Sequence, residues 1–126
     1  GANLDRIQVV KGWTNDDGSA AEQVYDVSWS GDRQKDAKGK VPAVGNTVDI
    51  ETASYSNSIG APILSGYWKD PDFDPDQHAF YYVRVQEIPT PNWTTYDHVF
   101  LGVELSKKAV AFSQERAYTS PVWYTP

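Results

Sequence analysis

Four carboxylates, Asp70, Asp72, Asp74 and Asp76, stand at every second position of the run DPDFDPDQ, with Pro71 and Pro75 between them. Carboxylates so spaced can converge on a hard cation such as calcium, which takes about six to eight oxygen ligands. The spacing is not that of an EF-hand, because counting from Asp70 puts Pro75 where the loop needs glycine and Tyr81 where it needs glutamate. The competing reading is an Asp/Pro turn whose side chains cap their own backbone. Both lead to a test with calcium and chelator, since a ligand specific to the folded state raises its apparent stability.

Other constellations are weaker. His78 and His98 are twenty positions apart and outside any HExxH-like pairing, so each is expected at a surface or strand edge. No serine sits in a GxSxG elbow. A pair of carboxylates for glycoside cleavage is not readable in one dimension, because any two of the seventeen acids could meet in space. Cysteine is absent, which removes thiolate catalysis, sulfur-ligated zinc and a disulfide framework.

The five tryptophans are many for a domain of this size, and exposed aromatic rings make stacking platforms for sugars. Trp13, Trp29, Trp68 and Trp123 fall in strand-like segments, where core packing is the ordinary explanation. Trp93 differs. It stands in PTPNWTTYD beside Tyr96 and Asp97, and these three are the candidate ligand-contacting or cleft-rim residues.

The elements that must position these residues are mostly strands. LDRIQVVKGW alternates Ile7, Val9 and Lys11 with Arg6, Gln8 and Val10, as a half-buried strand does. Asp17-Gly18 makes a tight-turn pair before EQVYDVSWS, which is expected to complete a hairpin with Tyr25, Val27 and Trp29 inward. Residues 30–46 form an exposed loop, and strands are expected at 47–52 (Val48, Ile50, Thr52) and 61–69 (Leu64, Gly66, Trp68). HAFYYVRVQEI is the clearest strand, apolar on both sides at its start and therefore central. From about 88 to 113 the pattern predicts a long irregular excursion with a short helical turn, since Pro89 and Pro91 interrupt any ladder. ERAYTSPVWY is expected to pair with 79–87. Such a series predicts one all-β domain over residues 1–126, an antiparallel β-sandwich of the immunoglobulin or fibronectin III kind.

Bulk properties narrow the partners. The net charge of −6 and the lack of a basic stripe disfavour nucleic acid and anionic membrane, and no apolar run is long enough to span a bilayer. Methionine is absent even at position 1, so the chain is expected to be a processed form or a piece of a longer protein, with Gly1 and Ala2 a tag remnant.

At HAFYYVRVQEIPTPNWTTYD and QERAYTSPVWYTP the sequence resembles the C-terminal end of a bacterial family of large, mostly secreted proteins, domain-of-unknown-function family 3604. The resemblance runs from NLDRIQVVKGW through VGNTVDI and SIGAPILSGYWKDPDFDP to Pro126. Asn92 stands where the family often has a basic residue, and LGVELSKKAVAFS falls in a variable segment. The family is similar to PHP-type metallohydrolases, including the carbaryl hydrolase group. The resemblance thus implies a periplasmic or extracellular parent whose N-terminal catalytic domain holds divalent metals through several histidines and carboxylates. It implies no cofactor and no catalysis in this chain itself, which would be an accessory domain packed on its catalytic partner. The alternatives from the residues are a carbohydrate- or surface-binding module using exposed aromatics, and a calcium-stabilised module. An edge strand freed from its covering domain would also allow two copies to pair.

Overall fold

The computed structural model describes all residues, 1–126. Strand β1 (Leu4–Thr14) and β2 (Ala20–Trp29) form the hairpin that the alternation predicts. Its turn is closed by Asn15, whose amide donates to the Ser19 carbonyl and whose carbonyl accepts from Gly18, both at 2.9 Å. β3 (Ala79–Glu87) pairs antiparallel with the other side of β1. The last segment divides into β6 (Arg116–Tyr118) and β7 (Val122–Tyr124), both on the free side of β3. The sheet order is β2-β1-β3-β6, with β7 also on β3, so β3 is central as its two-sided apolar start predicts.

β1 departs from the half-buried expectation. Lying between β2 and β3, it is buried on both faces, and much of what it buries is polar: Asp5, Arg6, Gln8 and Lys11 with Val10. Two expected strands are absent. At 47–52 there is only a turn closed by the Asp49–Ser54 bridge. The Asp49 carboxylate accepts from the amides of Glu51 and Thr52, and Ala53 takes φ 49°, so the chain reverses where a ladder would need it extended. At 61–69 only Ala61 bridges to Leu4, and the rest lies as irregular chain with Ile63 and Tyr67 more than four-fifths exposed. Here Trp68 decides the path: its ring sits 5.0 Å from that of Tyr25 and 6.2 Å from that of Tyr81, a packing that needs no backbone ladder.

The excursion at 88–113 is more regular than expected. β4 (Thr90–Pro91) pairs with β5 (Phe112–Ser113), so Pro91 is accommodated in a short edge ribbon. Between them runs helix α1 (Trp93–Leu101), nine residues long. It stops at Gly102, whose φ of 70° lets its amide turn back to the His98 carbonyl at 3.1 Å, the left-handed ending for which glycine carries no steric cost. The chain is thus mostly β, antiparallel throughout, with one short helix. No helix is long and apolar enough to cross a membrane.

Cross-strand partners share a face of the sheet. One face carries Val9, Tyr25, Lys11, Tyr81 and Val83, and the segment 61–78 lies over it through Trp68 and Asp70. The other carries Gln8, Asp26 and Arg84 at one end and Gly12, Phe80 and Trp123 at the other. The private apolar core is thin. Only 15 of 126 residues are buried, and as many of their side chains are polar as apolar.

Candidate functional site

The Asp/Pro run packs against the sheet. Asp70 Oδ2 accepts from Lys11 Nζ and from the Tyr81 hydroxyl, each at 2.7 Å, and Oδ1 accepts from the Asp72 amide at 2.9 Å. Asp72 in turn accepts from the Tyr25 hydroxyl at 2.9 Å, and its carbonyl takes a second Lys11 bond at 2.7 Å. Asp74 caps the Asp76 amide at 2.9 Å. The alternating spacing therefore sends successive carboxylates to different partners, and no three His, Asp or Glu side chains are grouped so as to hold a metal ion. Burial raises the Asp70 pKa, but the bonds from Lys11, Tyr81 and the Asp72 amide outweigh it and hold the carboxyl below its ordinary value. Burial and the facing carboxylates push the Tyr25 and Tyr81 phenols well above theirs.

Trp93, Tyr96 and Asp97 are brought together by α1 instead of by a loop. Positions three and four apart share a helix face, which groups them with Phe100. Trp93 is 70% exposed, and the Tyr96 and Phe100 rings are nearly parallel at 6.4 Å between centroids. The helix is held from beneath by Thr95, almost fully buried, whose hydroxyl donates to the Ala111 carbonyl at 2.6 Å. Its outer side and the chain that follows leave Trp93, Phe100, Leu101, Val103, Val110 and Phe112 exposed. Asn92 at the N-terminus makes no side-chain cap, so the helix is anchored by Thr95 and Gly102.

A buried polar cluster was not legible in the sequence. Asp26, with its side chain wholly covered, accepts from Gln8 Nε2 (2.7 Å), Arg6 Nη1 (3.3 Å) and the Val41 amide (2.8 Å). Arg6 also donates to the Val41 and Pro42 carbonyls at 2.8 and 2.7 Å, and Arg84 donates twice to Gln8 Oε1. Asp5 faces Arg33 Nη1 at 2.8 Å as an ion pair without hydrogen-bond alignment, and accepts from Gln114 Nε2 at 2.9 Å. The cluster pins the 30–42 loop and the segment before β6 onto β1, segments with little apolar surface of their own. The available signal was the pairing of an inward Arg6 and Gln8 with Asp26 on the neighbouring strand.

The histidines remain apart. His78 is exposed at a cleft with Trp13 and Trp123, while His98 lines a different cleft beside Ile50 and bonds the Val103 carbonyl through Nδ1 at 2.7 Å. These two separated residues do not fit a multi-histidine metal cluster.

What the fold and its surfaces define is a mostly β domain with packed polar interiors and apolar surface left open. The family model described as Protein of unknown function (DUF3604) matches residues 1–126, and the chain belongs to that family. Neither a curated protein nor a solved structure matches it.

Proposed function

We propose that this chain is a non-catalytic accessory domain, C-terminal in a larger secreted PHP-like metal-dependent hydrolase, which packs on the catalytic domain of the same polypeptide through the outer side of α1. The observation that carries the reading is surface in excess. The accessible area is 8405 Å², whereas a compact monomer of 14.1 kDa is expected to expose about 6,700 Å². The difference is about twice the 800 Å² or so that one partner commonly contributes to a stable interface. Trp93, Phe100 and Leu101 of α1, with Val110 and Phe112 in the chain that follows, contribute exposed apolar side chains to it, and apolar surface of this kind marks docking faces. Trp93, Tyr96 and Asp97 would then reach the rim of the catalytic cleft, where the divalent metals of the parent would be held by residues outside this chain.

The proposed fold is an antiparallel β-sandwich of the immunoglobulin or fibronectin III kind. A sandwich needs a second layer over the sheet, and the packing of Trp68 and Asp70 of the irregular 61–78 segment on Tyr25 and Tyr81 supports that reading.

The test is calorimetric titration of the chain into the catalytic domain of the same polypeptide, with Phe100→Asp and Leu101→Asp as variants. Saturable binding lost in both variants while their melting temperatures hold supports the proposal. Hydrolysis of a generic phosphodiester, ester or carbamate by the chain alone with added divalent metal would overturn it.

A further inference from the structure

A second surface, remote in sequence from α1, has a different chemistry. On the sheet face that carries Gly12, four aromatic rings follow one another from β7 to β6. Trp123 lies 5.2 Å from Phe80, Phe80 is parallel to Tyr82 within 8° at 6.4 Å, and Tyr82 lies 6.1 Å from Tyr118. The row follows from register, because Phe80 opposes Trp123 and the neighbouring Arg84 opposes Tyr118 across the β3 ladders. Phe80 can lie over β1 because its partner there is Gly12, where an added Cβ would run into the ring. Trp123 and Tyr118 at the two ends are 71% and 57% exposed.

Polar groups border these rings. Glu22 opposes Gly12 on β2, and the Gln8–Arg84 pair adjoins Tyr82 and Tyr118. The Tyr82 and Tyr118 hydroxyls, the Glu22 carboxylate and Arg84 Nη1 make no hydrogen bond within the chain. At the Trp123 end the row opens into a cleft of about 430 Å³ shared by Trp13, Glu22, His78 and Phe80, within the size range of small-ligand sites. A dry protein partner laid on this surface would bury those hydroxyls and the carboxylate unpaired, each losing its hydration without a replacement bond. A pyranose ring has the complementary character, with an apolar C–H face for the ring planes and a rim of hydroxyls for the bordering donors and acceptors.

We propose that the row Trp123, Phe80, Tyr82 and Tyr118 is a binding platform for a neutral oligosaccharide, with Glu22 and Arg84 as the groups that orient its hydroxyls. The site is independent of the docking patch on α1, since none of its residues lies between 88 and 113.

The test uses the whole chain and a panel of β-1,4-linked glucan, xylan and mannan hexasaccharides, read by tryptophan fluorescence and calorimetry. Saturable binding of at least one hexasaccharide is expected, weakened about tenfold or more by Trp123→Ala and by Tyr118→Ala and unchanged by Trp93→Ala. Both rings that are removed are largely exposed, so the melting temperatures of the variants should stay within a few degrees of the parent chain. Failure of every hexasaccharide to bind would overturn the proposal. So would binding that survives both substitutions, or binding lost only with Trp93→Ala.

Discussion

Replacing Asp70 by asparagine removes the charge that holds Lys11 against the sheet. The two groups are 2.7 Å apart, with side chains 3% and 7% exposed. At an effective dielectric of about 20, a contact this short carries a gross attraction of about 6 kcal/mol. The net loss is smaller, because Lys11 keeps the Asp72 carbonyl at 2.7 Å and lies over the Trp13 and Tyr81 rings. A cost of about 3 kcal/mol is expected for leaving one buried partner alone. In a domain of this length each kcal/mol moves the midpoint by about 4 °C, so Asp70→Asn should melt about 12 °C lower at neutral pH, followed by near-ultraviolet circular dichroism. The double variant Lys11→Met with Asp70→Leu removes both charges and should recover part of that loss. A fall of less than about 4 °C for Asp70→Asn, or a double variant less stable than the single one, would refute the reasoning.

Acid should act through the same carboxylates. Asp26 and Asp70 both titrate below the ordinary 3.8 when folded, because bonds from Val41, Gln8 and Arg6, or from Lys11 and Tyr81, outweigh the burial that would raise them. Their contribution is fully present above the unfolded value and lost as pH falls through the folded ones, so urea midpoints should drop steeply below about pH 4, and less so in Asp26→Asn. At the alkaline end Tyr25 and Tyr81 are raised, so their stabilisation is present below pH 10.0 and lost as pH climbs toward their folded values. Phenolate absorbance should show a late phase, coincident with unfolding, that shrinks in Tyr25→Phe and Tyr81→Phe. Gly12→Ala should cost about 1–3 kcal/mol in denaturant unfolding, because the Phe80 ring must leave its place. With Asp70 and Asp72 engaged by Lys11, Tyr81 and Tyr25, the melting temperature should be the same in calcium and in chelator, and a rise with calcium would favour the metal reading.

The strands that were legible are those whose alternation is long and whose partner is near. β1 and β2 follow from period two and the Asp17-Gly18 turn, β3 from its run of aromatic and β-branched residues, and the return of β6 and β7 from the same pattern. Val48, Ile50 and Thr52 alternate over too few residues to outweigh the Asp49 side chain, which folds the backbone into a turn. Trp68 is placed by Tyr25 and Tyr81, and Gly66 lies against Val27 and Ser28, tertiary contacts that no local period distinguishes from a strand. α1 did leave a signal, Asn92 at its start and Gly102 at its end, but Pro89 and Pro91 just before it drew the segment toward irregular chain. Among site residues, Trp93, Tyr96 and Asp97 share one side of α1, whereas the Asp70 to Asp76 series is split among different partners. The Asp5–Arg6–Gln8–Asp26 cluster stayed hidden because burial of charge depends on neighbours up to 109 positions away in the chain.

Amide hydrogen exchange over residues 93–112, compared between this chain alone and a longer polypeptide carrying the proposed catalytic domain, tests the accessory-domain account most directly. Docking through Trp93, Phe100, Leu101 and Phe112 predicts strong added protection of that segment in the longer polypeptide, reversed by Phe100→Asp. Equal exchange in both, with protection appearing elsewhere or nowhere, would contradict it.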